Sequence, residues 1–505
     1  LPQIPRRFWG GVALFALAIL LFIVASPIVG FFTDLQWYDA LGYRDVYTTR
    51  VWLQVVITVG SLVLAFGYLA VNVYIALRVR SGPQLRAVGI RRSVLRSTAG
   101  WVSLAIAGVI AIILSGGAYS QWSTLALFLH STPTGVTDPV LGQDISFYLL
   151  TLPFLHAVTN WSLGLDFLAV LLIGALYAWR GDAFDFRPTP NAIAHVSVLL
   201  GAFAVSLSVA TWLGRYDLLY SHNSSVVWGA GYTDVNARLP LYTFQAGAGF
   251  VLAGGLVANA WVRRLWIPAA AVVGWIVLSI AGQAYPAAVQ GVSAGPNAGS
   301  YELPYISRSI TYTRQAYGLS NVSVSTSFTG DQPLTLQDVQ NDQVTINNLR
   351  LWDYVPLKTT YQQQQSLRTY YTFNDVDLDR YPVNGQYSQL EISAREVDIS
   401  RLPASAQNWV NERLGYTHGY GAAASPVNAV IGEGLPDYVI QNVPPSGAIS
   451  ITQPDIYFGE VATDYVLAPS KTREFDYPQG NADVFTNYAG THGVPMNSLN
   501  RALWA

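Results

Sequence analysis

Seven stretches of the chain consist almost wholly of apolar residues, and short segments rich in arginine, aspartate and turn residues separate them. Each stretch is long enough to cross the hydrocarbon core of a bilayer, which takes about 20 helical residues. None of them contains arginine, lysine or glutamate. The pattern predicts seven transmembrane helices: Phe8–Val29, Val51–Ala76, Ala99–Tyr119, Pro153–Trp179, Ala192–Trp212, Leu241–Val262 and Leu265–Ala287.

The pattern changes after the seventh stretch, where short alternating runs and many turn residues replace the long apolar segments. Alternation predicts strands at Gln343–Leu351 and Asp375–Tyr381, and a short helix is predicted at Ser405–Leu414. The predicted fold is an α-helical membrane domain of seven transmembrane helices, residues 1–287, followed by an extracytoplasmic α+β, β-rich domain, residues 288–505. We expect this second domain to be incomplete at its C-terminus.

Charge separates the same two parts of the chain. Only 11% of the 505 residues are charged, whereas an ordinary soluble protein carries about 25%. Residues 1–287 hold 16 Lys+Arg and 10 Asp+Glu, and residues 288–505 hold 12 and 20. The overall net charge of −2 excludes a strongly basic nucleic-acid binder. Because the chain has no cysteine, disulfides, thiolate metal sites and a cysteine nucleophile are excluded as well.

Arginine in the short loops predicts the orientation, because such residues accumulate on the cytoplasmic side of a membrane. The N-terminal segment and the loops after the second, fourth and sixth stretches hold twelve arginines, and the alternate loops hold four. We therefore expect a multi-pass cell-membrane protein with a cytoplasmic N-terminus. Seven crossings would place residues 288–505 outside.

Asp166 is the one acidic residue inside a predicted span. A carboxylate in a membrane is costly unless it is paired or hydrated, so Asp166 is a candidate ion or proton site. His156 and Asn160 precede it, four residues apart and therefore on one helix face. The alternative is a carboxylate that faces water or pairs with a loop arginine. His195 is expected to be an interfacial or hydrogen-bonded core histidine.

Two groups in the second domain are candidates for chemistry. Asp375, Asp377 and Asp379 alternate on a predicted strand, where they could bind a metal or form a solvated acidic face. His418 lies between turn residues and is a candidate general base, with Glu460 as a second candidate catalytic residue. No Walker loop, dinucleotide fingerprint or HExxH helix occurs in the sequence, so we expect no cofactor.

Many longer motifs resemble a known family of large multispanning bacterial proteins. They include Gly142-Gln-Asp144-Ile-Ser-Phe147-Tyr148, Gly229-Ala-Gly231-Tyr-Thr-Asp234, Asp375-Val-Asp377-Leu-Asp379-Arg380-Tyr381, Tyr416-Thr-His418-Gly-Tyr420-Gly421, Ile456-Tyr-Phe-Gly459-Glu460 and Glu474-Phe-Asp476-Tyr-Pro478. On these motifs the chain resembles Uncharacterised Protein Family 0182. The resemblance implies about seven spans, a large extracytoplasmic domain and a longer full chain. It implies no catalytic residues.

These observations favour a non-enzymatic integral membrane protein of the bacterial envelope, whose external domain scaffolds or binds envelope components. The expected partners are the lipid bilayer and either further copies of the chain or other envelope proteins, and no nucleic acid is expected. One alternative is a transporter or channel that uses Asp166. Another is a membrane-anchored enzyme that acts on lipid-linked or cell-wall substrates.

Overall fold

The chain forms two compact units. A computed structural model describes residues 25–79, 92–179, 189–224, 227–327, 330, 333–461, 464–480 and 482–504. The helical unit comprises Leu1–Ser323 together with Gly493–Ala505, and the sheet unit comprises Val324–His492. The domain boundary predicted from the sequence, between residues 287 and 288, falls inside the helical unit.

Long helices make up most of the helical unit. Their bounds are 25–40 (α1), Arg44–Arg78 (α2), Arg92–Tyr119 (α3), Trp122–Leu129 (α4), Leu152–Trp179 (α5), Pro190–Asp217 (α6), Leu239–Val262 (α7), Trp266–Val289 (α8), Ala298–Tyr301 (α9) and Leu303–Ala316 (α10). Short π-helical turns, Phe147–Thr151 and Asp234–Arg238, continue directly into α5 and α7.

Within the described residues, six helical segments are long and apolar enough to cross a membrane. They confirm the last six predicted stretches. Their bounds are Arg44–Arg78, Thr98–Tyr119, Phe147–Trp179, Pro190–Tyr220, Asp234–Val262 and Trp266–Ala294. The first predicted stretch, Phe8–Val29, lies outside the described residues except for its last five, which begin α1. The protein is therefore membrane-embedded, with six candidate spanning helices in the described part of the chain.

Helices α6 and α7 pack closely because small residues line their contact. Ala204 and Ala253 are buried in one cluster, and a Cβ added at Gly201 would lie 2.9 Å from Val257 Cγ2. Small side chains at such a contact allow two membrane helices to approach and gain van der Waals contact. Large apolar side chains point outward instead, as Trp52 on α2 does with 65% of its surface exposed. Such an outer surface suits lipid.

The sheet unit combines short helices with a small antiparallel sheet. Its helices are Leu336–Asn341 (α11), Gln343–Ile346 (α12) and Tyr354–Gln365 (α13), and its strands are Tyr371–Phe373 (β1), Asp377–Val383 (β2), Gln386–Val397 (β3), Gly419–Tyr420 (β4), Ala422–Pro426 (β5), Val430–Ile431 (β6), Leu435–Pro436 (β7), Asp455–Ile456 (β8), Glu474–Gln479 (β9) and Ala482–Thr486 (β10). The chain then returns to the helical unit, which it completes with Ser498–Trp504 (α14).

Strand β3 organises the main sheet. It pairs with β2, with β1 near its C-terminal end, and with β5. The β2–β3 hairpin turns at Asn384 and Gly385, whose φ angles of 51° and 80° suit a tight two-residue turn. Helix α13 contributes the buried Leu357 and Tyr361 to the core of this sheet. Strands β4 and β8, and strands β9 and β10, form two separate two-stranded sheets.

Local hydrogen bonds decide where the sheet unit departs from the predicted elements. The strand predicted at Asp375–Tyr381 is found two residues later, as β2. The strand predicted at Gln343–Leu351 is wrong, because its start is the helical turn α12. Thr345 Oγ1 donates to Asp342 Oδ1 at 2.8 Å, a local bond that competes with strand formation. The helix predicted at Ser405–Leu414 is helical only over 409–415.

Candidate functional site

His418 is held against the main sheet by the residue that follows it. A Cβ at Gly419 would lie 2.5 Å from the carbonyl oxygen of Arg395 and 2.8 Å from Glu396 Cα, both on β3. Only glycine permits this approach, which sets the position of β4 and of the histidine at its start. The β4–β8 pairing then places Asp455 opposite Tyr420.

The His418 side chain is buried and strongly oriented. Its Nδ1 lies 2.9 Å from Thr417 Oγ1, and its ring packs on Tyr457 at a centroid distance of 4.6 Å. Thr417 Oγ1 in turn donates to Glu474 Oε2 at 2.7 Å. A hydroxyl has one hydrogen, so Thr417 must accept from His418 Nδ1–H. In the neutral ring, Nε2 is therefore the nitrogen with the free lone pair.

Glu474 anchors this arrangement from β9. Its carboxylate is fully buried, and three donors bind it: Thr417 Oγ1, Tyr457 Oη at 2.8 Å and the Tyr488 backbone N–H at 2.8 Å. These hydrogen bonds replace the water that burial removes from the two carboxylate oxygens. Glu474 thus fixes both neighbours of the histidine ring, the hydroxyl that accepts from it and the tyrosine that packs on it.

The free nitrogen of His418 faces two carboxylates. Nε2 lies 3.6 Å from Asp476 Oδ1, too far for a hydrogen bond. Both atoms are buried and have no hydrogen-bond partner among the described residues. One ligand atom each of His418, Asp455 and Asp476 lies within 4.8 Å of the others. Burial raises the pKa of the Asp476 carboxyl, and the negative charge of Asp455 raises it further.

A pocket of about 500 Å³ is lined by His418 and Tyr457 but not by Asp455 or Asp476. Acidic, aromatic and apolar side chains share its wall, which includes Glu396, Val397, Asp398, Ile399, Glu412, Arg413, Tyr416, Thr417, His418, Ile456, Tyr457 and Asp464. Asp464 pairs with Arg413 at 2.6 Å and Asp398 pairs with Arg401 at 2.9 Å, so Glu396 and Glu412 give the wall its net negative charge. A pocket of this size fits a small molecule or one group of a larger ligand.

The other candidate residues of the sheet unit lie apart from the His418 cluster. Glu460 Oε2 accepts from Asn374 Nδ2 at 2.8 Å, and Glu460 does not line the pocket. Asp375, Asp377 and Asp379 are exposed, the last two on β2. A metal site at these three residues stays a prediction.

Asp166 lies among three helices of the helical unit. It is buried on α5, and its two oxygens accept from Tyr68 Oη of α2 at 2.9 Å and Ser206 Oγ of α6 at 2.8 Å. Hydroxyl groups on neighbouring helices thus hydrogen-bond the carboxylate that the sequence places inside a span.

The structure does not bring His156 and Asn160 to Asp166. His156 Nε2 contacts Asp217 Oδ1 at 2.8 Å, and the side chain of Asn160 is exposed. Ten residues of helix, about 15 Å, separate His156 from Asp166. A site that contains all three residues would have to extend over that length.

His195 is a hydrogen-bonded core histidine, one of the two roles expected from the sequence. Its Nδ1 lies 2.9 Å from Tyr177 Oη and its Nε2 lies 3.0 Å from Asn72 Oδ1. Asn72 Nδ2 also donates to the carbonyl oxygen of Tyr68 at 2.8 Å. Both ring nitrogens are therefore satisfied within the bundle.

Sequence reasoning identified His418 but missed Asp455 and Asp476. The alternation Glu474-Phe-Asp476-Tyr is a usable signal, because residues two apart on a strand share a face. It predicts a strand with two acids on one side, and β9 is that strand. No local signal marks Asp455, which reaches the site through the pairing of β8 with β4.

Comparison with known proteins gives a family match over nearly the whole chain. The model described as Uncharacterised protein family (UPF0182) matches residues 11–505. No solved structure matches the chain.

Curated relatives agree with this match. A UPF0182 protein of Trichodesmium erythraeum is 35% identical over 504 residues, which cover 97% of this chain and 54% of the relative. Those of Cupriavidus necator and Geobacter sulfurreducens are each 36% identical, over 97% and 95% of this chain and 55% of each relative. The chain therefore spans about half the length of the curated relatives it matches.

Proposed function

The chain belongs to the uncharacterised protein family UPF0182, and from this premise we propose that it is an integral protein of the cell membrane whose sheet unit binds an envelope component outside the cell. Six apolar helices and the outward apolar surface support membrane embedding. The arginine distribution supports a seventh span at Phe8–Val29, a cytoplasmic N-terminus and an external position for residues 288–505.

The pocket beside His418 is the observation that carries the binding role. Its acidic wall attracts cations, and its tyrosines can pack against them. We therefore propose a ligand that bears an amine or a similar positive group. Binding is favoured over acyl-transfer chemistry because the Thr417 hydroxyl, the nearest potential nucleophile, donates its hydrogen to Glu474 and not to His418.

The test compares the small molecules that copurify with the full chain from its native membranes. Mass spectrometry of the wild type should detect an amine-bearing species, and Glu412→Gln in the pocket wall should reduce its occupancy at least tenfold. Glu433→Gln removes the same charge at an exposed position away from the pocket and serves as the control. An identical set of molecules on wild type and Glu412→Gln would contradict the binding role.

A second candidate function, transport of protons or cations, is favoured by the burial of Asp166 among α2, α5 and α6. In vesicles that contain the purified full chain, Asp166→Asn should abolish a flux that the wild type shows. An equal flux for both would remove Asp166 from any transport role.

A further inference from the structure

We propose that His418, Asp455 and Asp476 form a site for one divalent transition-metal ion, with Zn²⁺ as the best fit. The three residues belong to the sheet unit alone, and the proposal does not depend on which ligand the neighbouring pocket binds. One imidazole nitrogen and two carboxylate oxygens match the ligands that zinc takes in proteins. Magnesium and calcium prefer oxygen ligands alone.

The hydrogen bonds around His418 prepare its Nε2 for a metal. Thr417 accepts from Nδ1–H, and this leaves the Nε2 lone pair pointing at Asp476. Metal-binding histidines commonly have their second nitrogen fixed by a hydrogen bond in this way. Glu474 supports the ring through Thr417 and Tyr457. The supporting groups of a metal site are therefore present on the side of the ring away from the ligand atoms.

Buried atoms without partners point to the same ligand. His418 Nε2 and Asp476 Oδ1 are both buried without a hydrogen-bond partner, although leaving a buried polar atom without a hydrogen bond is unfavourable. Among the described residues, no lysine or arginine forms an ion pair with Asp455 or Asp476. A divalent cation would neutralise both carboxylates and satisfy the nitrogen at once.

The distances suit coordination after a small adjustment. Two ligand atoms on a tetrahedral zinc ion with bonds of about 2.0–2.1 Å are about 3.3 Å apart. The Nε2–Oδ1 distance of 3.6 Å is close to this value. The third ligand atom, from Asp455, lies within 4.8 Å of the others, and rotation of its partly exposed side chain can bring it nearer. Three protein ligands leave a fourth position open for water.

The experiment measures metal binding to the full chain in detergent after removal of metals with a chelator. With Zn²⁺ alone as the probe, calorimetry and elemental analysis should show one ion per wild-type chain. Asp455→Asn and Asp476→Asn, which preserve side-chain shape, should each weaken binding at least tenfold. Glu433→Gln removes an exposed carboxylate that belongs to neither candidate metal site and should bind as the wild type does.

Absence of Zn²⁺ binding by the wild type would overturn the proposal, as would wild-type affinity in both Asp455→Asn and Asp476→Asn. Tighter binding of Mg²⁺ or Ca²⁺ than of Zn²⁺ would also overturn it. If a variant does not fold, X-ray absorption of the zinc-loaded wild type decides the matter, since one imidazole and otherwise oxygen ligands are expected. Two or more imidazoles would exclude this site. An unchanged amine-bearing ligand in Glu412→Gln, or none in the wild type, would contradict the proposed binding function and leave the metal site standing.

Discussion

Glu391 is a buried acid on strand β3 of the sheet unit. Only 1% of its surface is exposed, and neither carboxylate oxygen has a hydrogen-bond partner among the described residues. Burial raises its pKa, and the charge of Asp353 adds to this effect, while Arg350 opposes it. The folded protein therefore holds this proton at pH values where the unfolded chain has lost it.

This difference predicts how stability depends on pH. The stability of the sheet unit should fall as pH rises from the unfolded pKa of Glu391 through its raised folded pKa. Glu391→Gln removes the ionisation and should stabilise the unit at pH 8 and much less at pH 4. Hydrogen exchange in β3 of the full chain, compared between variant and wild type at each pH, measures the effect.

The exposed Glu433→Gln variant is the control for this measurement and should show no such trend. A difference between Glu391→Gln and wild type that did not grow with pH would mean that Glu391 ionises as freely in the folded state as in the unfolded chain.

Gly249 of α7 lies where α6, α7 and α8 meet. A Cβ added at Gly249 would clash with Ser208 Oγ of α6 and would lie 2.6 Å from Trp275 Cζ3 of α8. Gly254 lies on the same helix, and a Cβ there would have nothing within 4 Å. The two positions therefore differ in packing and not in helix type.

Gly249→Ala should destabilise the helical unit by about 1–3 kcal/mol, because an extra methyl forces α6 and α8 away. Gly254→Ala should be neutral or stabilise it by up to about 1 kcal/mol through better helix propensity. Thermal unfolding of the full chain in detergent provides the comparison. Equal effects of the two substitutions would show that the helices separate without cost at Gly249.

Elements differ in how far the sequence determines them. The long apolar helices were predictable because a bilayer demands about 20 apolar residues with internally satisfied backbone groups. The ends of these helices were harder to predict. The segment Asp234–Arg238 is polar, and yet it extends α7 at its N-terminus as a π-helical turn. In the sheet unit, the alternation in Gln343–Leu351 indicated a strand, yet the Asp342–Thr345 hydrogen bond forms a helical turn. The alternation of apolar and polar residues does not indicate where such local hydrogen bonds form.

The candidate site could not be predicted from one stretch of sequence, because its residues come from distant parts of the sheet unit. The glycines within the Tyr416–Gly421 segment drew attention to His418, but its partners come from strands β8 and β9, far along the sequence. Strand pairing brings them together, and single-sequence patterns do not specify which short strands pair. Asp166 was predictable as a special residue because charge is rare in spans. Its donors, Tyr68 and Ser206, were not, because which faces of three helices meet depends on packing.

The absence of cysteine makes the predicted orientation directly testable. Single cysteines can be introduced without background labelling, at Leu334, which is 80% exposed in the sheet unit, and at Arg264 in the turn between α7 and α8. In intact cells, a membrane-impermeant maleimide should label Leu334→Cys. It should label Arg264→Cys only after permeabilisation. The reverse result would invert the topology that the arginines indicate.

The sheet unit is an insertion within the helical unit. The chain leaves the helical unit after Ser323 and rejoins it at Gly493, where Asn500 and Trp504 of α14 bind Gln36 of α1 through its amide. A protease that cut once, in either connecting segment, would leave the sheet unit covalently attached through the other. Complete separation of the sheet unit from the helical unit would require two separate cleavages, one on each side.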